Sequence, residues 1–207
     1  MTVEPITIRP DRPVSTWQYR LWELLVARLP RWARVLVGRF AFRLPLGSRA
    51  RRWWVQSWSV IVWDLVARRR YDLVLPIFDT TCQWRFDANF VALGFDRLYR
   101  GHEGIERGVE EWLQFMAEPR FTVREVLDGG DTWVFRMTFW ARGARSGVPT
   151  QMDVSSVFRF NPLIFDEHTF LDDADALREA GFALSSKTSC GMSSDGPPGQ
   201  KSRELPI

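Results

Sequence analysis

The order of elements legible in this sequence predicts an α+β fold in which a curved, mostly antiparallel sheet wraps over helices. Three observations carry that prediction. Trp54, Trp58, Ile61 and Leu65 recur at helical spacing and mark one long helix with a heavy aromatic face. The second half of the chain alternates apolar and polar residues in successive runs, as strands with one buried face do. Glycine-bearing hairpin signals stand between those runs.

Residues 1–14 read as an irregular arm. Thr16 to Arg28 and Arg31 to Arg43 read as short helices, the first stopped by Pro30, which restricts Leu29. In the second, Ala33, Leu36, Val37 and Phe40 share a face. Ser48 is a suitable N-cap for the long helix that bears the aromatic stripe. A short helix over Tyr71 to Phe78 is expected next, and then an alternating strand over Thr80 to Asp87, with Cys82, Trp84 and Phe86 on one face. A further helix is expected from about His102 to Ala117.

Strands then follow over Phe121 to Leu127, Asp131 to Ala141 and Thr150 to Phe160. The second carries Trp133, Phe135, Met137 and Phe139 on one face, and the third carries Met152, Val154, Ser156, Phe158 and Phe160. Aligning these apolar faces permits a register with Arg136 opposite Asp153, a cross-strand ion pair of small value. A last strand, Ile164 to Leu171, precedes a helix near Asp173 to Ala180, with Gly181 as its C-cap. After Leu184 a Ser/Gly/Pro-rich tail is expected to be disordered. The predicted organisation is a basic helical extension (1–46), one domain (47–184) and the tail (185–207).

Charge is unevenly spread. Residues 1–70 hold 14 Arg, no Lys and four acids, a net of +10, and the remainder carries −7. A basic segment of this kind suits a solvated helix face, an anionic surface or attraction between two parts of one molecule. The stretch from Leu21 to Leu46 is too interrupted by Arg and Pro to span a bilayer, although it could lie on one. The N-terminus lacks the apolar core of a signal peptide, and Cys82 and Cys190 form no disulfide framework. A cytoplasmic setting with free thiols is the expectation.

The pieces VLPIFDTTCQWRF, LYRGHEGIERGVEEWLQFM, VREVLDGGDTWVFRMTFWARGARSGV and FLDDADALREAGF resemble the SnoaL-like branch of the nuclear transport factor 2-like superfamily. The resemblance covers about residues 48–183. It implies a cone-shaped pocket between the concave sheet and the long helix, and often a homodimer through the sheet. The superfamily includes ketosteroid isomerases, polyketide cyclases, epoxide hydrolases, dehydratases and non-catalytic binders, so function must come from the site. The isomerase pattern is not matched: its tyrosine position falls near Ile61 or Val62, and its base position near Arg85 or Phe86.

Several chemistries are weak in the residues themselves. His102-Glu103 opens like a zinc helix, but position 106 is Glu106 and only one other histidine exists. Gly101 better serves a tight turn, with Glu103 and Glu106 near the positive end of a helix. No phosphate-binding glycine loop is present, and the aromatics near the basic residues fall at core spacings rather than as a nucleic-acid platform. No metal or organic cofactor is expected.

The remaining candidate is His168. If Ile164, Asp166, His168 and Phe170 face the pocket, His168 would be an acid or base in an apolar cavity, influenced by Asp166. Asp87 is a second carboxylate candidate at the pocket mouth. Trp58, Trp84, Trp133, Phe135, Ser156, Phe158 and Phe170 are expected to line the pocket. The functional expectation is binding of a small hydrophobic molecule, with cofactor-independent acid/base chemistry of isomerase, cyclase or hydrolase type. The alternative is a non-catalytic binding or assembly module whose residues 1–46 dock on a membrane surface or a protein partner.

Overall fold

A computed structural model describes residues 5–10, 15–37, 43–161 and 164–183. The expected tail, with Cys190, lies outside them, as does Phe40. Seven strands form one curved sheet in the order β1-β4-β5-β6-β7-β2-β3. They are β1 (Ile6–Ile8), β2 (Gln83–Phe86), β3 (Leu98–Arg100), β4 (Met116–Asp128), β5 (Thr132–Gly143), β6 (Pro149–Asn161) and β7 (Ile164–Phe170). All neighbours are antiparallel except β2 and β7.

The helices are α1 (Thr16–Arg28), α2 (Pro30–Val35), α3 (Arg49–Ala67), α4 (Ala88–Ala92), α5 (Gly101–Leu113) and α6 (Asp173–Ala180). α3 starts where the Ser48 hydroxyl accepts from Arg51 N–H, a cap worth about 1 kcal/mol. Its Val55, Trp58, Ile61 and Leu65 are buried, and Trp54 partly so. Tyr71–Leu73 and Leu75–Ile77 are two 3₁₀ turns rather than one helix, with Pro76 inside the second. α5 ends at Leu113, four residues earlier than the sequence reading, because Met116 already pairs with Gly143 in the sheet.

Two cores flank the sheet. The larger packs α3 and α5 against one face, through Trp133, Phe135, Met137 and Phe139 of β5 and Phe158 and Phe160 of β6. The smaller lies beneath α6 and contains Leu127, Val134, Val157, Phe170, Ala176, Leu177 and Phe182. Gly181 caps α6 with φ 72°, the left-handed conformation expected of it.

α3 is also tied to the β4–β5 turn by a buried ion pair. Arg51 Nε and Nη2 donate to the two Asp128 oxygens at 2.6 and 2.8 Å, with 3% and 1% of the side chains exposed. A pair so well satisfied gives the helix one seat on the sheet, and deleting one partner strands the other charge.

The β5–β6 register differs from the one read in the sequence. Asp153 stands opposite Thr138, and Arg136 stands opposite Ser155. Registers two residues apart bury the same faces, so the alternation could not choose between them. Arg136 instead binds Glu125 and Asp173. Three short elements (β1, β3 and α4) were not foreseen, each being five residues or fewer.

Candidate functional site

The concave face of the sheet closes over α3 and α5 around a cavity with about 60 Å³ of free space. Trp58, Trp63, Trp84, Trp112, Phe135 and Phe158 form much of its wall. The rings interlock at edge-to-face angles, as between Trp63 and Phe158 at 79° or Trp112 and Phe121 at 86°. Such packing leaves a small, almost wholly apolar chamber. It exceeds the roughly 10–15 Å³ one water needs, and falls short of the roughly 300 Å³ of a drug-sized site.

One carboxyl group enters this chamber, and it belongs to Glu167. β7 alternates, and its pairing fixes the phase: Phe165, Glu167 and Thr169 stand opposite Phe160, Phe158 and Ser156 of β6. On the other side Glu167 is level with Trp84 of β2. Glu167 is therefore set between two aromatic side chains and is only 6% exposed.

A small polar fan supports it. Trp84 Nε1 donates to Thr169 Oγ1 at 2.9 Å, and the Ser156 hydroxyl meets the same oxygen at 2.8 Å. Thr169 Oγ1 donates to Glu167 Oε1 at 3.1 Å. No cation pairs with Glu167 among the described residues. Burial pushes its carboxyl up to about 8; the Ser156 and Thr169 hydroxyls pull in the opposite direction, and the Asp166 charge adds to the rise. Glu167 is thus an acid that titrates near neutral pH inside an apolar chamber, the property expected of a proton-transferring group.

The expected site residues divide sharply. Trp58, Trp84, Phe135 and Phe158 line the chamber. Trp133 is buried beside it, edge-on to Trp58 with ring centroids 5.8 Å apart, but does not line it. Ser156 contributes through its hydroxyl bond to Thr169. Phe170 belongs to the other core, under α6.

His168 and Asp166 lie on the opposite face of β7 from Glu167, which corrects the pocket-facing phase read for them. The His168 ring packs on Phe170, centroids 4.0 Å apart, and burial followed by the Arg85 charge holds its pKa below the usual histidine value. Asp166 accepts two hydrogen bonds from Arg85, at 3.1 and 3.0 Å. Asp87 caps α4 by accepting from Phe90 N–H at 3.0 Å, so its carboxylate serves the backbone rather than the chamber.

Both alternations of β7 mix polar and apolar residues, so the strand alone could not disclose its phase. The signal that could have found Glu167 was the closeness of the two runs in sequence: only two residues separate Asn161 from Ile164, and antiparallel pairing at that spacing sets Phe158 opposite Glu167.

His102 begins α5 after Gly101, which has φ 69° and donates to Cys82 O at 2.9 Å. Tyr99 then lies against Gly108, where an added Cβ would come within 2.9 Å of the ring. The described residues contain no group of three or more His, Cys, Asp or Glu arranged to hold a metal ion.

A second recess lies on the outer side of α3. It offers about 280 Å³ between α1, α2 and α3 and is lined by Trp17, Leu21, Leu36, Trp53, Trp54 and Trp58, among others. Trp58 thus borders both recesses.

Comparison with known proteins bears on the fold. The pattern of the SnoaL-like domain matches residues 62–162. No curated protein matches the chain in sequence. Among solved structures, an NTF2-like protein of unknown function from Burkholderia pseudomallei is 19% identical, with 56% of this chain and 88% of that one covered and a TM-score of 0.47. TsrD from Streptomyces laurentii is 19% identical over 66% of this chain and 98% of its own, with a TM-score of 0.45. A protein with a ketosteroid isomerase-like fold from Catenulispora acidiphila, in complex with trimethylamine, is 13% identical over 58% and 90%, with a TM-score of 0.44. The matched stretch runs from within α3 to the end of β6 and so takes in most of the curved seven-stranded sheet, and this part of the chain is similar to a SnoaL-like domain.

Proposed function

We propose that the aromatic chamber binds a small, largely apolar molecule and that Glu167 moves a proton to or from it. The observation that carries this reading is a buried carboxyl, without a cationic partner among the described residues, that lines an otherwise apolar cavity. As an acid, Glu167 would give its proton to a ligand carbonyl oxygen. As a base, its carboxylate would take a proton from the carbon beside that carbonyl, with the Thr169 hydroxyl steadying the charge. With a pKa near 8, both forms are accessible close to neutrality. The reaction class this supports is isomerisation or ring closure through an enol, without recourse to a cofactor.

Deuterium exchange at the α-carbon of 2-cyclohexenone, followed by NMR in heavy water, tests the assignment. Wild type should accelerate exchange, Glu167→Gln should lose the acceleration, and His168→Ala should keep it. Equal rates for wild type and Glu167→Gln would overturn the role of Glu167. The small free volume supports a second reading, in which neutral Glu167 packs a closed, non-catalytic core. Exchange no faster than buffer, together with no thermal stabilisation by the enone, would favour that reading.

A further inference from the structure

α1, α2 and the start of α3 present an apolar face that nothing covers among the described residues. Trp17, Leu21, Leu24 and Arg28 form one stripe along α1 at helical spacing, and Trp17 is 60% exposed. Trp32, Val35 and Leu36 of and just beyond α2, and Trp53 of α3 at 54%, are exposed as well. Trp17, Leu21, Leu36 and Trp53 converge on the same 280 Å³ recess, so these side chains form a continuous surface rather than scattered exceptions.

The charge on this surface is predominantly positive. Arg20, Arg28, Arg31, Arg49 and Arg52 are exposed, and none makes an ion pair with a described residue. Glu23 is the sole acid in α1 and α2, and it faces Arg70. Elsewhere on the molecule Arg85, Arg136 and Arg159 each hold a carboxylate; Arg97, Arg100, Arg120 and Arg145 are exposed without an ion pair to a described residue, but none of them borders this recess. Tryptophan and leucine interleaved with unpaired arginine suit the boundary between lipid headgroups and acyl chains, where rings and stems are buried and cations meet phosphate. No described helix is long and apolar enough to cross a membrane, so such contact would be peripheral.

We propose that this helical layer docks on an anionic bilayer surface. Trp17, Leu21, Trp32 and Trp53 enter the headgroup region, and the five arginines supply attraction to lipid phosphates. The occupant is a lipid surface rather than a protein because attraction and insertion need only an anionic, apolar-backed plane, which is what three helices with projecting tryptophans match.

The test is co-sedimentation of the full chain with vesicles of phosphatidylcholine, with and without phosphatidylglycerol, at low and high salt. Binding should be at least about tenfold stronger to the anionic vesicles and should weaken with salt. Arg31→Glu with Arg52→Glu should reduce it about tenfold or more. Trp17→Ala with Trp53→Ala should reduce it at both salt levels, and unchanged circular dichroism should show that both variants fold. No binding to either vesicle, equal binding to both, or double variants that bind like wild type would overturn the proposal. So would a lipid-free dimer that Trp53→Glu dissociates, since a second copy would then cover this face.

Discussion

The two recesses on either side of α3 are built from the same residue types and behave as opposites. Both are walled by tryptophan, and Trp58 belongs to both. The inner one is walled mostly by buried rings packed edge to face, and its one carboxyl, Glu167, accepts from a hydroxyl. The outer one is edged by the exposed Trp17, Leu21, Leu36 and Trp53, and Arg20, Arg49 and Arg52 on the same helices make no ion pair with a described residue. Burial, more than composition, therefore decides what each can do. Inside, desolvation turns a glutamate into a near-neutral acid; outside, water leaves arginine charged and available to an anionic partner.

The comparison breaks most visibly at the shared wall. Trp58 packs edge-on against Phe78, Trp133 and Phe160, so Trp58→Ala removes the hub of the inner core and joins the two recesses. A loss of about 3–5 kcal/mol is expected from urea unfolding. A loss below about 1 kcal/mol would mean that the surrounding rings refill the space, and that the wall is not a barrier.

Adjacent arginines on α3 sharpen the same contrast. Arg51 is buried on Asp128, whereas Arg52 faces solvent. Arg51→Met strands the Asp128 carboxylate and should cost about 3 kcal/mol, while Arg52→Met should stay within about 0.5 kcal/mol. Comparable losses in the two variants would refute the division into inner and outer environments.

For Glu167 the sign follows from its raised pKa. The native state holds the proton up to about 8, and the unfolded chain releases it near 4.5. The contribution to stability is complete below 4.5, declines as pH rises, and is lost above about 8. Glu167→Gln should abolish that decline. Relative to the variant, wild type should lose roughly 2–3 kcal/mol between pH 4 and 9, a figure reduced from the full linkage value for relaxation around the buried ion. Parallel pH profiles would show that the carboxyl is already hydrated.

The parts of the fold with long-range repetition were legible in the sequence. α1 and α6 fall where spacing placed them, as does the Ser48 cap of α3, because each rests on local periodicity and end signals. The aromatic faces of β5 and β6 were equally plain. What could not be read depends on pairing. The slip that moved Asp153 from Arg136 to Thr138 preserves every buried face. The phase of β7 is set by neighbouring strands, and that one-residue difference exchanged His168 for Glu167 as the ionisable group in the chamber. The candidate chemistry was thus one position away and on the wrong side of the sheet.

His168 supplies the smallest effect and the cleanest check on that exchange. Its pKa is lowered by burial first and by Arg85 second, so the native state resists protonation more than the unfolded chain does. The stability this gives is present above the ordinary histidine value of about 6.5 and is lost as pH falls through the lower folded value. The side chain is only partly buried, and solvent screening keeps the effect below about 1 kcal/mol. His168→Ala should therefore flatten the stability profile only on the acid side of 6.5, the opposite limb from Glu167→Gln. Urea midpoints measured across that range distinguish the two, and a variant that altered the alkaline limb instead would place His168 in electrical contact with the chamber after all.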